Sequence, residues 1–183
     1  MPLTAVELCS TALLKIGALP IESFDAPTTE ARLARLFYGP LLDSLLGGYP
    51  WSFSLTQARL VPDGAAAPGD FGHVHFLPGD MLRAISADAG AYRVMGRRLH
   101  ASTSPVVLTY QRRPAEADLP PYFVQVLINR LAAEFCLPLT ESASRAEYLM
   151  RLAGAELKAA RLVDSQQSTP AAVEDFTLIR ARG

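Results

Sequence analysis

The sequence predicts an α+β protein: an antiparallel bundle of about four helices, a small antiparallel β-sheet domain inserted into it, and an extended C-terminal arm. Three observations lead there. Apolar residues recur at helical spacing through residues 4–45 and again through residues 122–162. Between these stretches the apolar period shortens to two, in short runs separated by Gly, Pro and Asp. Past residue 165 the periodicity fades. The bundle is thus discontinuous, residues 1–50 and 114–165, with the β domain at 51–113 and the arm at 166–183.

Each element has a local reason. Thr4-Ala5-Val6-Glu7 reads as a capping box at the start of the first helix, whose apolar face is Val6, Cys9, Leu13 and Ile16. Gly17 supplies its left-handed stop. The second helix starts near Thr28 and carries Leu33, Phe37, Leu41 and Leu45 to the Gly47-Gly48 break. Pro40 inside it predicts a kink or a split near Gly39. Trp51, Phe53 and Leu55 alternate with Ser52, Ser54 and Thr56, which predicts a strand leaving a structural corner at Pro50, Trp51 and Phe53. Further strands are expected at residues 74–77, 81–86, 92–95, 99–102 and 106–111, joined as a meander through turns at 88–90 and 96–97. Asp118 caps a third helix with Pro120 and Pro121 in its first turn and Pro138 just beyond its end. The fourth opens at Ser142 or Ser144, the latter boxed with Glu147, and forms an antiparallel hairpin with the third.

Composition excludes several classes. With 183 residues the chain can bury a core without disulfides or metals. Its net charge of −1 argues against a tight nucleic-acid binder. No apolar run reaches the ~18 residues of a membrane span, and no signal peptide is visible. Charged residues are only 19%, below the usual ~25%, a hint that other subunits cover part of the surface. Cys9 and Cys136 sit among apolar neighbours and read as buried structural thiols.

The catalytic and metal inventory is thin. His73 and His75 would share one face of a strand, but His100 is on another strand and nothing else has ligand spacing, so partly exposed strand histidines are expected and no metal. Asp80, Glu116, Asp118, Glu134 and Glu141 are scattered, and no nucleophile elbow, metalloprotease motif or phosphate loop is present. Neither cysteine has a base nearby in the sequence. The expectation is a non-enzyme without cofactors. The β region holds seven Arg against four Asp, and Arg97-Arg98 and Arg112-Arg113 are its tight basic pairs, candidates for contact with DNA or an acidic partner.

The order of features is the most specific signal. Pro-Ile-Glu-Ser-Phe-Asp (20–25) precedes Ala-Arg-Leu-x-x-x-Phe-Tyr-Gly-Pro (31–40), which ends in Tyr-Pro-Trp-Ser-Phe-Ser (49–54). Phe-Leu-Pro-Gly-Asp-Met-Leu-Arg (76–83), Tyr-Arg-Val-Met-Gly-Arg-Arg-Leu (92–99) and Ala-Ala-Glu-Phe-Cys-Leu-Pro-Leu-Thr (132–140) follow. Over about residues 3–167 this resembles the tail tubular protein A family, the head-to-tail adaptors or gatekeeper-ring proteins of short-tailed bacteriophages. The resemblance implies a structural virion protein at the head–tail junction, made in the bacterial host cytoplasm. It would form a ring, expected to be a dodecamer, that extends the DNA channel for genome ejection. The implied partners are the portal protein, a tail nozzle of tail tubular protein B type, further copies of itself, and double-stranded DNA in non-specific passage, with no membrane. Arg97, Arg98, Arg112 and Arg113 then become candidate channel or nozzle contacts. The competing readings are a tail-associated cell-wall hydrolase, opposed by the missing constellation, and a small DNA-binding regulator, opposed by the charge.

The arm has no counterpart in the resemblance. Phe176, Leu178 and Ile179 are apolar and β-prone, Arg180 and Arg182 follow them, and Pro170 ends the preceding polar linker. Such a stretch suits addition to a sheet edge of the portal or of a neighbouring subunit. The alternative is packing back onto its own subunit.

Overall fold

Thr4 and Glu7 open the first helix as the sequence predicts. In the computed structural model, which describes residues 3–64 and 71–167, the Thr4 hydroxyl accepts from the Glu7 amide at 3.2 Å and the Glu7 carboxylate accepts from the Thr4 amide at 2.8 Å. Helix α1 spans Ala5–Ile16 and ends on Gly17 at φ 81°. Helix α2 spans Thr29–Gly47, with the Thr28 hydroxyl accepting from the Ala31 amide. It runs unbroken through Pro40, so the expected split is absent. Its buried face is Ala31, Ala34, Tyr38, Leu42 and Leu46; Leu33, Phe37, Leu41 and Leu45 are only half-buried. The predicted stripe is therefore the flank of the real one.

A second correction follows at the corner. Ser52–Ser54 is a single 3₁₀ turn, and strand β1 starts only at Leu55 (Leu55–Arg59). Trp51 and Phe53 share an aromatic cluster because the turn brings their rings to 5.8 Å, and strand alternation plays no part. The remaining strands are β2 (His73–Phe76), β3 (Met81–Asp88), β4 (Tyr92–Met95), β5 (Arg98–Ala101) and β6 (Val107–Arg112). They do not form one meander. Among the described residues there are two three-stranded antiparallel sheets, in the orders β1-β6-β3 and β2-β5-β4. β1 pairs with β6 from Leu55↔Gln111 to Arg59↔Val107, joining the first and last strands of the region. The β4–β5 hairpin turns at Gly96, whose φ of 60° favours glycine.

Helix α3 spans Pro121–Thr140 and α4 spans Ala143–Ser165. Asp118 does not cap α3; it belongs to a 3₁₀ turn, Glu116–Asp118, and the cap is Pro120. Pro138 lies inside α3, which continues to Thr140. Ser142 is the cap position of α4, without a side-chain bond, and the Ser144–Glu147 box does not form. The two helices meet through Glu141 in the left-handed conformation and run antiparallel: Tyr122 faces Asp164, while Cys136 approaches the Ser142 carbonyl.

The four helices share one core around Leu13, Leu42, Trp51, Phe123, Leu127, Leu131 and Phe135. The strands have their own, formed by Leu60, Leu99, Val106, Leu108 and Tyr110. Helix α3 is the most deeply placed. With a mean hydropathy of 1.2 it is long and apolar enough to cross a membrane, contrary to the sequence expectation, but 56% of it is buried among its neighbours. It also carries Asn129, Arg130 and Glu134, so a core helix accounts for it.

Candidate functional site

The best-built region of the molecule is the joint where α2 ends against the strands. A helix leaves its last four carbonyls without partners, and Gly47-Gly48 offers no side chain to serve them. Three side chains from elsewhere do. The Trp51 indole donates to the Leu45 carbonyl at 2.9 Å, Gln111 on β6 donates to Leu46 at 3.0 Å, and Arg83 on β3 donates to Gly47 at 3.0 Å. Gln111 is fully buried, and its two N–H bonds are shared among three acceptors, the Leu46 and Tyr49 carbonyls and the Ser54 hydroxyl.

The far end of α4 closes the same joint. Asp164, only 3% exposed, accepts from the Ser52 amide at 2.9 Å, the Ser52 hydroxyl at 2.8 Å and the Tyr122 hydroxyl at 2.8 Å. Burial, then the Asp164 hydrogen bond and charge, pushes the Tyr122 hydroxyl up to about 12. Around them Trp51 packs edge-to-face with Tyr49 and Phe123, ring centroids 4.8 Å and 5.1 Å apart. Of the predicted corner, Trp51 is fully buried, Phe53 half-buried and Pro50 exposed, and the two aromatics pack in this joint.

The candidate arginines divide into two kinds. Arg98 is ion-paired with Asp63 and lies over the Phe76 ring. Arg113 pairs with Asp43 of α2 at 3.4 Å and lies over Tyr38. Arg97 and Arg112 are exposed and make no ion pair among the described residues. Phe176, Leu178, Ile179 and Arg180 lie outside the described residues.

The histidines are not the partly exposed set the sequence suggests. His73 is exposed, but His75 is fully buried and His100 nearly so. Register places His73 and His75 on one face of β2, their rings 6.4 Å apart, and His100 on the other face of that sheet. Burial, then the charge on His73, lowers the His75 pKa. Among the described residues no three His, Cys, Asp or Glu side chains group as metal ligands. Cys9 and Cys136 are both buried free thiols, and burial pushes the Cys9 thiol up to about 12, away from nucleophilic chemistry. Glu116 accepts from Tyr38, Asp80 accepts from Tyr110, and Glu134 pairs with Arg130; Asp118 and Glu141 occupy turns. Glu116 and Asp118 share one 3₁₀ turn, and the other three carboxylates lie at three further places in the fold.

No family model matches the chain, and no curated protein matches it.

Proposed function

We propose that this chain is a head-to-tail adaptor of the tail tubular protein A type. It works as a structural ring subunit between a phage portal and the tail nozzle, and not as an enzyme. The observation that carries this reading is the ordered set of segments from Pro20 to Thr140, above all Tyr-Pro-Trp-Ser-Phe-Ser at the joint between α2 and β1. The element order, two helices, a strand region and a helical hairpin, supports this reading because it is the order that the resemblance implies.

In this reading the helices form a discontinuous bundle, residues 1–50 and 114–165. The strands form an inserted domain, and the arm reaches a partner. A ring needs a heterologous interface, in which one face of a subunit meets a different face of the next. The outer side of the α3–α4 hairpin, where exposed Tyr148, Leu162 and Val163 sit among Arg145, Arg151 and Lys158, is the candidate for part of it. A channel wall must let DNA slide, since many phosphate contacts would oppose ejection. A net charge of −1, with two of the four candidate arginines already paired, fits that requirement. The subunit would reside in the virion at the head–tail junction.

Electron microscopy of the protein mixed with the portal protein of the same genome tests the proposal. Rings capping the portal are expected, from a protein that sediments alone as monomer or small species. Absence of any joint complex, with a portal-independent dimer as the sole form in sedimentation, would overturn it.

A further inference from the structure

Helices α2 and α4 both pack on α3 and leave a groove between them, with α3 as its floor. Its wider part, about 560 Å³, is lined by Phe37, Leu137, Pro138, Ala146 and Met150, with Glu134 and Glu147 beside them. A second part, about 350 Å³, shares Met150 and continues toward the C-terminal end of α4 past Leu41, Leu45, Arg130 and Leu157. The half-covered stripe of α2 is therefore one wall of a groove whose two apolar parts meet at Met150, beside the Arg130–Glu134 ion pair. Leu137 is 53% exposed and Met150 36%, a cost in water that a covering segment would remove.

We propose that the C-terminal segment of the same chain, residues 173–183, occupies this groove. Three observations favour it over other occupants. The groove runs along α4, and the chain leaves α4 at Ser165, so the segment needs only to double back. Met150 lies about 22 Å up the helix from that exit at 1.5 Å per residue. Residues 168–175 span about 27 Å when extended, which brings Phe176 to the wider part with slack for the reversal. The far ends also match in charge: past the Arg130–Glu134 ion pair the wider part reaches Glu147, and in the segment the apolar Phe176, Leu178 and Ile179 lead to Arg180 and Arg182.

This inference does not depend on the adaptor reading. In an adaptor it would hold the arm against its own subunit until a partner competes for it.

The test uses the isolated full-length protein. Met150→Cys and Leu178→Cys are combined, oxidised by air with a copper–phenanthroline catalyst, and resolved on non-reducing gels with peptide mapping. Native Cys9 and Cys136 are buried, and each single variant serves as the control. A disulfide between the two introduced cysteines within one monomer, independent of protein concentration, is expected. A ladder of linked multimers would assign the groove to a second copy and overturn the proposal, as would absence of the bond. Hydrogen exchange gives an independent reading. Amides 176–179 should exchange at least about tenfold more slowly in the unchanged chain than in Met150→Arg, while α3 amides stay equally protected in both. Equal exchange at 176–179 in the two proteins would overturn the proposal.

Discussion

Replacing Trp51 by Ala tests the joint directly. The side chain is fully buried and touches the rings of Tyr49, Phe53, Tyr122 and Phe123. Truncating a buried aromatic to Ala costs about 3–5 kcal/mol, and the Leu45 carbonyl loses a bond worth about 1 kcal/mol. For a chain of this size each kcal/mol moves the melting temperature by about 2–4 °C, so a drop of about 8–24 °C is expected. Trp51→Phe separates the contributions. It keeps a ring in the cluster but loses the indole N–H, and should cost about 1–2 kcal/mol. Thermal unfolding followed by far-ultraviolet circular dichroism reads both, with urea unfolding to check that the slope is unchanged. If Trp51→Ala melted with the parent protein, the claim that this joint stabilises the fold would be wrong.

Other outcomes follow from neighbouring features. Asp164→Ala leaves the Ser52 amide and two hydroxyls without their acceptor; a loss of about 2–3 kcal/mol is expected in urea unfolding. The Tyr122 hydroxyl should then titrate nearer its ordinary value, visible by ultraviolet difference spectroscopy. His75 has a lowered pKa in the fold, so the unfolded chain binds more protons below its own value of about 6.5. Stability should therefore fall as pH drops through that region, and His75→Gln should flatten the dependence in melts between pH 7.5 and about 5.5. Iodoacetamide should leave Cys9 unmodified in the native protein and alkylate it in urea; fast native labelling by mass spectrometry would contradict its burial. Removing residues 173–183 should leave the helical circular-dichroism spectrum intact and weaken assembly onto portal.

Local chemistry made some elements legible. The box at Thr4 and Glu7 and the stop at Gly17 lie within a few residues of each other, and both appear in the structure. The elements that went astray depend on distant partners. Phe37, Leu41 and Leu45 look like a core stripe because they are large, yet the adjacent stripe of Ala34, Tyr38, Leu42 and Leu46 is the buried one, and packing against the other helices decides which of the two turns inward. Strand order was not legible because pairing β1 with β6 joins residues 48 to 56 apart and has no turn signal. Gln111 reads as one polar position in a strand. Asp164 did carry a signal: a carboxylate in the last turn of a helix opposes the macrodipole, so it calls for a tertiary partner. The bare Gly47-Gly48 terminus likewise implied donors from elsewhere.

The antiparallel pairing of Leu55 with Gln111 also bears on how the chain finds its shape. Tyr38 and Glu116 are 78 residues apart in sequence and hydrogen-bonded in space. Closing so long a loop in one step is entropically costly and slow. Once β1 and β6 zip together, the path between the second and third helices is short-circuited to a few residues at each end. The strands then act as a topological clasp: formed early, they turn a remote encounter of helices into a local one.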